Sequence, residues 1–554
     1  MNRPYPWEAS YPPGVRWDTP IATTTINALF ESSVARHGNR SAIEYRDRQI
    51  TFAELDQQVS RAAAGFMKLG IRKGTGIALY LPNTPDHPIC FLGALRTGGH
   101  VVHLSPLDAE RELAHKLTDS GARTLVVPDF PQLLGNAQKL AAAGLVDKLI
   151  VAEQAAWGPL PQPMPPPPPG AMTLAELMNG EVPATEWPEV LPEDLAALQY
   201  TGGTTGSPKG AMLTHANFTA AISTYNIWAE GQDALREAED KVVAVLPFFH
   251  IYALTAILIR HVALGNEILI RTRFDADTTL KDIAEKKATL MLGVPTMYIA
   301  LLQHPEIGKR DLSSLRMVTC GGASLPIEVE QKFEKITGYK VGGGWGMTET
   351  APAGTNLPIK GDYKPGSIGM PLPGIVMQVV ALEDPRRILG PNEKGEFRIK
   401  GPNVMAGYWK RPEETKAAFV DGFFLTGDIG YMDERGYFFL VDRKKDMILS
   451  GGFNVYPRII EEAIYEHPAV EEVVVIGIPD AYRGQSAKAF LKLKAGTPPF
   501  TIDELRQFLA DKIGKHEMPT MLEIREALPK TAVGKLSKKT LVDEEASKQA
   551  SKGA

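Results

Sequence analysis

Apolar runs alternate with helix-like stretches along the first two thirds of the chain. Gly76-Ile-Ala-Leu-Tyr-Leu is typical of a buried strand, Pro85 to Thr97 of a helix, and His100-Val-Val-His-Leu of the next strand. Further strand-like runs are Arg123-Thr-Leu-Val-Val, Lys148-Leu-Ile-Val-Ala, Lys241-Val-Val-Ala-Val-Leu, Thr289-Leu-Met-Leu-Gly-Val and Met317-Val-Thr-Cys. Alternating strands and helices predict α/β layers around a largely parallel sheet.

The pattern changes in the last third. From Gly366 to Val441 short alternating segments are separated by turn residues, and Asp433-Glu-Arg-Gly predicts a hairpin within this β-rich part. The last hundred residues predict a small α+β unit, in which Thr501 and Glu504 fit a capping box, as Thr51 and Glu54 do earlier. Charged residues between two apolar stretches predict a domain boundary near 442–446. The polar residues 546–554 are expected to be disordered.

Composition narrows the class of protein. The 554 residues are 44% apolar and 23% charged, with a net charge of -5, which is ordinary for a soluble protein and gives no sign of nucleic-acid binding. Two cysteines, Cys90 and Cys320, predict neither a disulfide framework nor a zinc site, and favour the reducing cytosol. No apolar run reaches the roughly 18 residues that a membrane span needs, so we expect no integral membrane contact.

Two Gly- or Pro-rich stretches stand out. Pro161 to Gly170 contains five consecutive prolines and predicts an exposed polyproline II connector, or alternatively a ligand for a proline-binding domain. Tyr200 to Gly210 reads Tyr-Thr-Gly-Gly-Thr-Thr-Gly-Ser-Pro-Lys-Gly, between a predicted strand at Leu195 and a predicted helix. Its glycines can bring backbone N–H groups close to an oxyanion, and its lysine suits a polyphosphate. The predicted phosphate contacts are Thr201, Gly202, Gly203, Thr204, Thr205, Gly206 and Lys209. A flexible surface turn is the alternative, since the Walker A spacing is absent.

This loop resembles the phosphate loop of the superfamily of acyl- and aryl-CoA synthetases, adenylation domains and luciferases. Further motifs follow in that family's order from the Thr51 region to about Leu541, and Asp442 to Pro457 most resembles bacterial fatty-acid and dicarboxylic-acid CoA ligases. The resemblance implies the adenylate-forming fold: an α/β N-terminal domain of layered α/β subdomains plus a β-rich subdomain (residues 1–442), a hinge (443–446) and a small mobile α+β domain (447–545), before the tail (546–554).

Gly343-Gly-Trp-Gly-Met-Thr-Glu-Thr resembles the family's adenine and magnesium segment. The resemblance implies a purine stacked on Trp345, where Tyr is common in the family, a hydroxyl of Thr348 for the α-phosphate, and Mg²⁺ on Glu349 with Thr204. Cys320-Gly-Gly-Ala resembles the loop that lies along the adenine. The nucleotide contacts so assigned are Gly321, Gly322, Ala323, Gly344, Trp345, Gly346, Met347 and Thr348.

The remaining motifs concern the ribose, coenzyme A and catalysis. Asp428 in Leu425-Thr-Gly-Asp could accept from both ribose hydroxyls, and the resemblance assigns Arg443 to the ribose and Lys445 to the hinge. It places the predicted CoA contacts at Ser450, Gly451 and Gly452. The stretch Leu528-Pro-Lys-Thr-Ala-Val-Gly-Lys matches the family's terminal motif and places Lys535 at its catalytic lysine.

The acyl pocket is expected near Pro247-Phe-Phe-His. Amino-acid-activating relatives have an Asp near this segment, whereas this chain has Phe248, Phe249 and His250, which favours an acid without an α-amino group. A hydrogen-bonded core histidine is the alternative for His250. Arg260, with His261, interrupts an apolar run and could hold the distal carboxylate of a dicarboxylic acid. The alternative for Arg260 is a helix end that faces water.

The resemblance thus implies an ATP-dependent acid–thiol ligase. A medium- to long-chain fatty acid or a dicarboxylic acid, ATP and CoA would give acyl-CoA, AMP and pyrophosphate through an acyl-adenylate, with Mg²⁺. Its catalytic candidates are Lys535, Thr348, Glu349 and His250. An adenylating ligase that loads a carrier protein and a non-catalytic acyl-nucleotide binder are the alternatives. A lysine acetyltransferase acting on Lys535, opposed by a deacetylase, would remove its charge and silence the enzyme.

Overall fold

The computed structural model describes residues 3–160, 162–180, 182, 187–201, 208–323, 325–360, 364–451, 453–480, 482–531 and 535–552. Within these ranges, no helix combines the length and the apolar character needed to cross a bilayer. Six of the predicted binding residues lie outside the described residues: Gly202, Gly203, Thr204, Thr205, Gly206 and Gly452.

The predicted largely parallel pairing is found in two mixed sheets of the large domain, rather than in a single sheet. The first runs, in spatial order, through Met370–Pro371, Thr355–Asn356, Val341–Trp345, Met317–Cys320, Leu290–Gly293, Lys241–Ala244, Glu267–Ile270, Ser41–Tyr45 and Arg48–Thr51. The second runs through Gly407–Tyr408, Lys209–Thr214, Leu195–Thr201, His100–His103, Gly76–Leu79, Thr124–Pro128, Lys148–Ala152 and Met172–Thr173. The central strands are continuous apolar runs because helices cover both faces.

The α-helices of the large domain lie against these sheets. They are Ile26–His37, Phe52–Lys68, Asp86–Arg96, Glu110–Ser120, Pro131–Ala142, Leu174–Met178, His215–Glu230, Ile251–Ala253, Arg260–Ala263, Ala276–Ala284, Pro295–Gln303, Ile327–Thr337 and Pro412–Ala418. The 3-10 turns are Pro6–Ser10, Gln154–Trp157 and Thr348–Thr350. Thr51 and Glu54 form the predicted capping box. A π-helical segment, Leu254–Ile259, joins two of the helices into one rod from residue 251 to 263.

A third sheet follows, in the β-rich part predicted from the short alternating segments. Its strands are Val376–Val380, Gly395–Lys400, Phe423–Met432 and Phe419–Val420, with Phe438–Arg443 paired to Phe423–Met432. That last pair is the predicted hairpin, closed by residues 433–437. Its two strands carry Asp428 and Arg443 toward the large domain.

The small domain is built on its own sheet and core. Its strands are Phe453–Val455, Ile448–Ser450, Gly484–Leu493, Val470–Asp480 and Met521–Ile524, and its helices are Pro457–Tyr465, Ile502–Leu509 and Lys538–Lys552. Thr501 and Glu504 form the second predicted capping box. The separate apolar cluster inside this unit, which includes Val473, Ala489 and Leu505, agrees with an independent α+β domain.

The structure departs from the sequence predictions at two elements. The stretch after the phosphate loop is the strand Lys209–Thr214, antiparallel to Leu195–Thr201, so the loop closes a hairpin and the helix begins only at His215. Residues 546–554 were predicted to be disordered. The structure differs from this prediction as far as Lys552, because the helix Lys538–Lys552 continues through these residues. This helix is fixed by buried Leu541 and by ion pairs of Lys548 with Glu523 and Glu545.

Candidate active site

The carboxyl ends of the parallel strands Met317–Cys320 and Val341–Trp345 open onto a cavity of ≈ 3140 Å³. This edge of an α/β sheet is where ligands usually bind. The β-rich sheet and the small domain supply other walls. The predicted site residues that line the cavity are Thr201, Lys209, His250, Arg260, Gly321, Gly322, Ala323, Gly344, Trp345, Gly346, Met347, Thr348, Glu349, Asp428, Arg443, Lys445 and Lys535. Residues from motifs that are far apart in the sequence therefore meet in one space.

Asp428 is the centre of a polar group at the wall of the cavity. Asp428 and Arg443 are cross-strand partners, and Arg443 Nε lies 2.9 Å from Asp428 Oδ1. The indole Nε1–H of Trp345 donates to Asp428 Oδ2 at 2.7 Å. Burial raises the pKa of the Asp428 carboxyl, while Arg443 and Trp345 act in the opposite direction. Because a carboxylate has about four lone-pair sites, these contacts orient Asp428 and leave it able to accept from two vicinal hydroxyls.

Lys535 reaches this group from the small domain. Its backbone N–H donates to Thr531 Oγ1 at 3.2 Å, and the Thr531 N–H donates back to the Lys535 carbonyl at 2.6 Å, so these two bonds anchor the backbone of Lys535. The side chain passes so close to Gly322 that a Cβ there would lie 2.7 Å from Lys535 Cε. Burial lowers the pKa of Lys535 to about 8; Arg443 acts in the same direction and Asp428 opposes it.

Glu349 is a second buried carboxylate at the cavity, 6% exposed. One of its oxygens accepts from the Tyr408 hydroxyl at 2.9 Å, and burial raises the pKa of Glu349. Asn403 holds the same turn by donating to the carbonyls of Thr350 and Ala353, each at 2.7 Å. Tyr408 and Asn403 could not be predicted from the sequence, because neither belongs to a local pattern. Only the pairing of Gly407–Tyr408 with Lys209–Thr214 brings Tyr408 here.

A divalent cation fits this carboxylate. A desolvated carboxylate whose protonated form is favoured is stabilised by a cation, and Mg²⁺ characteristically binds one or two carboxylates plus phosphate oxygens and water. In the described part of the chain, no group of three or more His, Cys, Asp or Glu side chains is placed to hold a metal by itself. Glu349 is thus suited to a cation that arrives with a polyphosphate rather than to a protein-caged ion.

The described flanks of the phosphate loop place Thr201 and Lys209 at the cavity. Lys209 forms an ion pair with Glu414, and its Nζ lies 5.1 Å from the ring centre of Tyr408. Both contacts hold the ammonium on the side of the cavity where Glu349 accepts from Tyr408. An anion bound between the two strands would compete with Glu414 for this lysine.

Of the predicted acyl-pocket residues Phe248 and His250, His250 lines the cavity and Phe248 does not. Phe248 is fully buried, its N–H donates to Asn83 Oδ1 at 2.9 Å, and its ring packs against His87, whereas Phe249 lines the cavity. His250 Nδ1 accepts from the Tyr252 N–H at 3.3 Å, which leaves the proton on Nε2. Burial lowers the pKa of His250 to about 3, so the ring is neutral.

Arg260 is 4% exposed, so the alternative of a helix end that faces water is wrong. Its Nε donates to Asn226 Oδ1 at 2.8 Å and its Nη2 to the Tyr225 carbonyl at 3.2 Å. Burial lowers the pKa of Arg260 to about 10, and the guanidinium stays charged at neutral pH. The neighbouring His261 points elsewhere, with its Nδ1 3.1 Å from Asn266 Nδ2.

The predicted CoA loop lies away from the cavity. Ser450 is buried in the small-domain sheet opposite Gly484, and Gly451 has φ +58° at the adjoining turn. Neither residue lines the cavity, whereas Lys445, on the chain between the two domains, does. In this arrangement the small domain presents Lys535, and not Ser450, to the site.

Known proteins and family models match this chain over nearly its whole length. The AMP-binding enzyme model matches residues 30–409, and the AMP-binding enzyme C-terminal domain model matches residues 459–535. A long-chain-fatty-acid–CoA ligase of Bacillus subtilis (strain 168) is 40% identical over 98% of this chain and 99% of that protein. A feruloyl-CoA synthase of an Amycolatopsis species is 34% identical over 90% of this chain and 94% of that protein.

Two solved structures of the same protein match this chain to different degrees. ATP-bound MatB from Rhodopseudomonas palustris matches with a TM-score of 0.84 at 30% identity, covering 94% of this chain and 99% of that one. The apo structure of the same protein matches with a TM-score of 0.74 at the same identity and coverage. The chain is therefore more similar overall to the ATP-bound structure than to the apo structure.

Proposed function

This chain is an enzyme that belongs to the AMP-binding enzyme family, and we propose that it joins a medium- to long-chain fatty acid or dicarboxylic acid to coenzyme A through an acyl-adenylate. The observation that carries the proposal is the meeting of Lys535, from the small domain, with Asp428 and Glu349 of the large domain in one cavity. A cation, a hydroxyl acceptor and a metal-binding carboxylate are the groups that activation of an acid by ATP requires. Two buried free cysteines fit a reducing cytosol.

In the first half-reaction, a carboxylate oxygen of the acid attacks the α-phosphorus of ATP, and the bond from that phosphorus to the pyrophosphate oxygen breaks. Positioning and charge neutralisation account for most of the catalysis of such transfers. We assign the Lys535 ammonium to the charge that develops between the acid and the α-phosphate, together with Thr348. The Nε2–H of neutral His250 would donate to the acid, and Asp428, oriented by Trp345 and Arg443, would accept from the ribose hydroxyls.

Mg²⁺ would be held by Glu349 and by the phosphates of ATP, with Thr204 as a further contact. Bound there, it would neutralise charge on the departing pyrophosphate. We assign the glycine-rich stretches on either side, Gly321 to Ala323 and Gly344 to Met347, to the adenine and the phosphates.

In the second half-reaction, the sulfur of CoA attacks the acyl carbon, the acyl–phosphate bond breaks, and AMP leaves. The thiol proton is lost to solvent or to AMP, and no protein nucleophile takes part. Because Ser450 and Gly451 lie outside the cavity, we propose that residues 447–545 rotate about Lys445, within the hinge 443–446, and bring this loop to the site in place of Lys535. Residues 1–442 would stay fixed.

The test is AMP formation with ATP and Mg²⁺ across straight-chain mono- and dicarboxylic acids of graded length, with and without CoA. We expect turnover that depends on CoA and on Mg²⁺. Pyrophosphate release without CoA-stimulated AMP would contradict the choice of acceptor and point to a carrier protein. A preparation acetylated at Lys535 should lose the first half-reaction, since acetylation removes the charge; an unchanged rate would remove Lys535 from the mechanism.

A further inference from the structure

Arg260 is a charged residue in a mainly apolar rod. The helical residues 251–263 pack Leu254, Ile257 and Ile259 into the core, yet the side chain of Arg260 lines the cavity. The residues around it, including Trp228 and Ala256, also line the cavity and are apolar. A guanidinium is thus built into the wall of an apolar part of the ligand space.

The partners of Arg260 are all neutral. Arg96 and Arg398, which are buried to the same degree, have carboxylates at 2.8 Å (Asp56) and 3.8 Å (Asp421). For Arg260, no carboxylate lies within ion-pair distance among the residues that the structure describes. It bonds only to an amide oxygen and a carbonyl, and stacks over the Tyr225 ring at 5.7 Å. A buried cation without a counter-ion is costly, so the position calls for an anion from outside the chain.

The hydrogen-bonding capacity left over suits a carboxylate. Arg260 uses Nε and one N–H of Nη2, and in the described structure Nη1 donates to nothing. A guanidinium has five N–H donors in a planar fork that matches the two oxygens of a carboxylate. The neutral contacts to Asn226 and to the Tyr225 carbonyl fix the plane of the fork from the other side.

The rod also sets the spacing. Arg260 follows His250 by ten residues, so their Cα atoms lie about 12–15 Å apart along a helix that contains a π-helical turn. Long helical side chains point back toward the helix N-terminus, which brings the guanidinium nearer to His250, to about 8–12 Å. At about 1.25 Å per carbon–carbon bond of an extended chain, this distance spans about 6–10 bonds and corresponds to a dicarboxylic acid of about 7–11 carbons.

We propose that Arg260 binds the distal carboxylate of a dicarboxylic acid whose other carboxylate is activated beside His250 and Lys535. This inference rests on the proposed function and specifies its substrate class. A saturated monocarboxylic acid would leave the guanidinium without a counter-ion and bring methylene groups against it. The dicarboxylic acid is therefore the preferred substrate at equal length.

The first test changes only the substrate. AMP formation with CoA is measured for a dicarboxylic acid of 10 carbons, its monomethyl ester and the monocarboxylic acid of equal chain length. We expect kcat/KM to be about 10- to 100-fold higher for the diacid than for the ester, as for the loss of a charge-assisted hydrogen bond. Equal kcat/KM for the three would overturn the proposal.

The second test removes the cation. Arg260→Leu should lower kcat/KM for the diacid by about 10- to 100-fold and leave or raise that for the monoacid, so that the preference inverts. Arg260→Lys should give an intermediate ratio, because the charge remains while the fork is lost. Arg273→Leu is the matched control, since Arg273 is exposed and does not line the cavity; it should leave the ratio unchanged. Circular dichroism and thermal unfolding verify that each variant folds.

The outcomes separate this inference from the proposed function. If the wild-type enzyme turns over neither class of acid, the proposed function fails. If it turns over monocarboxylic acids and Arg260→Leu does not change the diacid-to-monoacid ratio, Arg260 only braces Asn226 and Tyr225, and this inference alone fails. If Arg260→Leu does not fold, the ester comparison on the wild-type enzyme still decides.

Discussion

Replacing Gly322 with alanine should slow the first half-reaction much more than the second. Gly322 has φ +77°, and a Cβ there would lie 2.7 Å from Cε and 3.2 Å from Nζ of Lys535. Carbon atoms in contact lie about 3.5–4.0 Å apart, so Cε has to move by about 0.8 Å or more. Since a lysine side chain is flexible, it moves rather than the backbone.

The displacement sets the magnitude. A misplacement of about 1 Å in a catalytic group can cost about 100-fold in rate, so we expect Gly322→Ala to lower the rate of adenylate formation by about 10- to 100-fold. The left-handed backbone adds strain of about 1–2 kcal/mol. That strain is present in the arrangements proposed for both half-reactions. The contact with Lys535 belongs to the arrangement described here, which is assigned to the first half-reaction.

Two assays separate these effects. Acid-dependent ATP–pyrophosphate exchange reports the first half-reaction, and single-turnover transfer from preformed acyl-AMP to CoA reports the second. Gly338→Ala is the matched control, because Gly338 has φ +79° and no atom within 4 Å of a new Cβ. An equal loss in both half-reactions, or a KM for ATP that alone explains the loss, would refute the reasoning. Equal behaviour of the two alanine variants would do the same.

Three further predictions follow from the site. Trp345→Phe removes the donor 2.7 Å from Asp428 Oδ2 and should raise KM for ATP by about 10-fold while narrowing the preference for ATP over 2′-deoxy-ATP; an unchanged preference would show that Trp345 does not orient the ribose acceptor. Because the pKa of Lys535 is lowered to about 8, its charge is complete below that pH and is lost above it, so kcat/KM for ATP should fall as pH rises through about 8. Lys535→Arg should abolish this fall of kcat/KM at high pH. A fall that persists in the variant must come from the titration of another group. Lys445→Pro should spare ATP–pyrophosphate exchange and block transfer to CoA, and a parallel loss of both would contradict a hinge at Lys445.

Features that depend on residues close together in the sequence could be predicted from the sequence alone. The capping boxes at Thr51 and Thr501 involve residues three apart, and the buried strands are continuous apolar runs, so both could be predicted. The strand Lys209–Thr214 could not, because its pattern is weak and its partners, Leu195–Thr201 and Gly407–Tyr408, define it. The direction in which the helix presents Arg260 could not be predicted either. The π-helical turn before this residue changes the number of residues per helical turn, on which such predictions rest.

In the candidate site, too, the residues of local motifs could be predicted, whereas contacts between distant residues could not. Motifs identified Trp345 and Asp428 separately, and the expected role of Trp345 was a stacking face for a purine. Their hydrogen bond joins residues 83 positions apart, and it depends on how the β-rich sheet meets the large domain. A pairwise contact at that separation leaves no trace in a single sequence, so the orienting role of Trp345 becomes visible only in the fold.

The placement of the small domain is the step that links the two half-reactions. Asp442, at the end of the large domain, accepts from the Arg458 N–H at 2.9 Å and lies 3.9 Å from Lys538 Nζ. Both partners belong to the small domain, so a rotation about Lys445, three residues further on, has to alter these contacts while it withdraws Lys535. The greater similarity to ATP-bound than to apo MatB agrees with an arrangement suited to the first half-reaction. Substitutions at Asp442 should therefore change the balance between the half-reactions although this side chain is no part of the proposed chemistry.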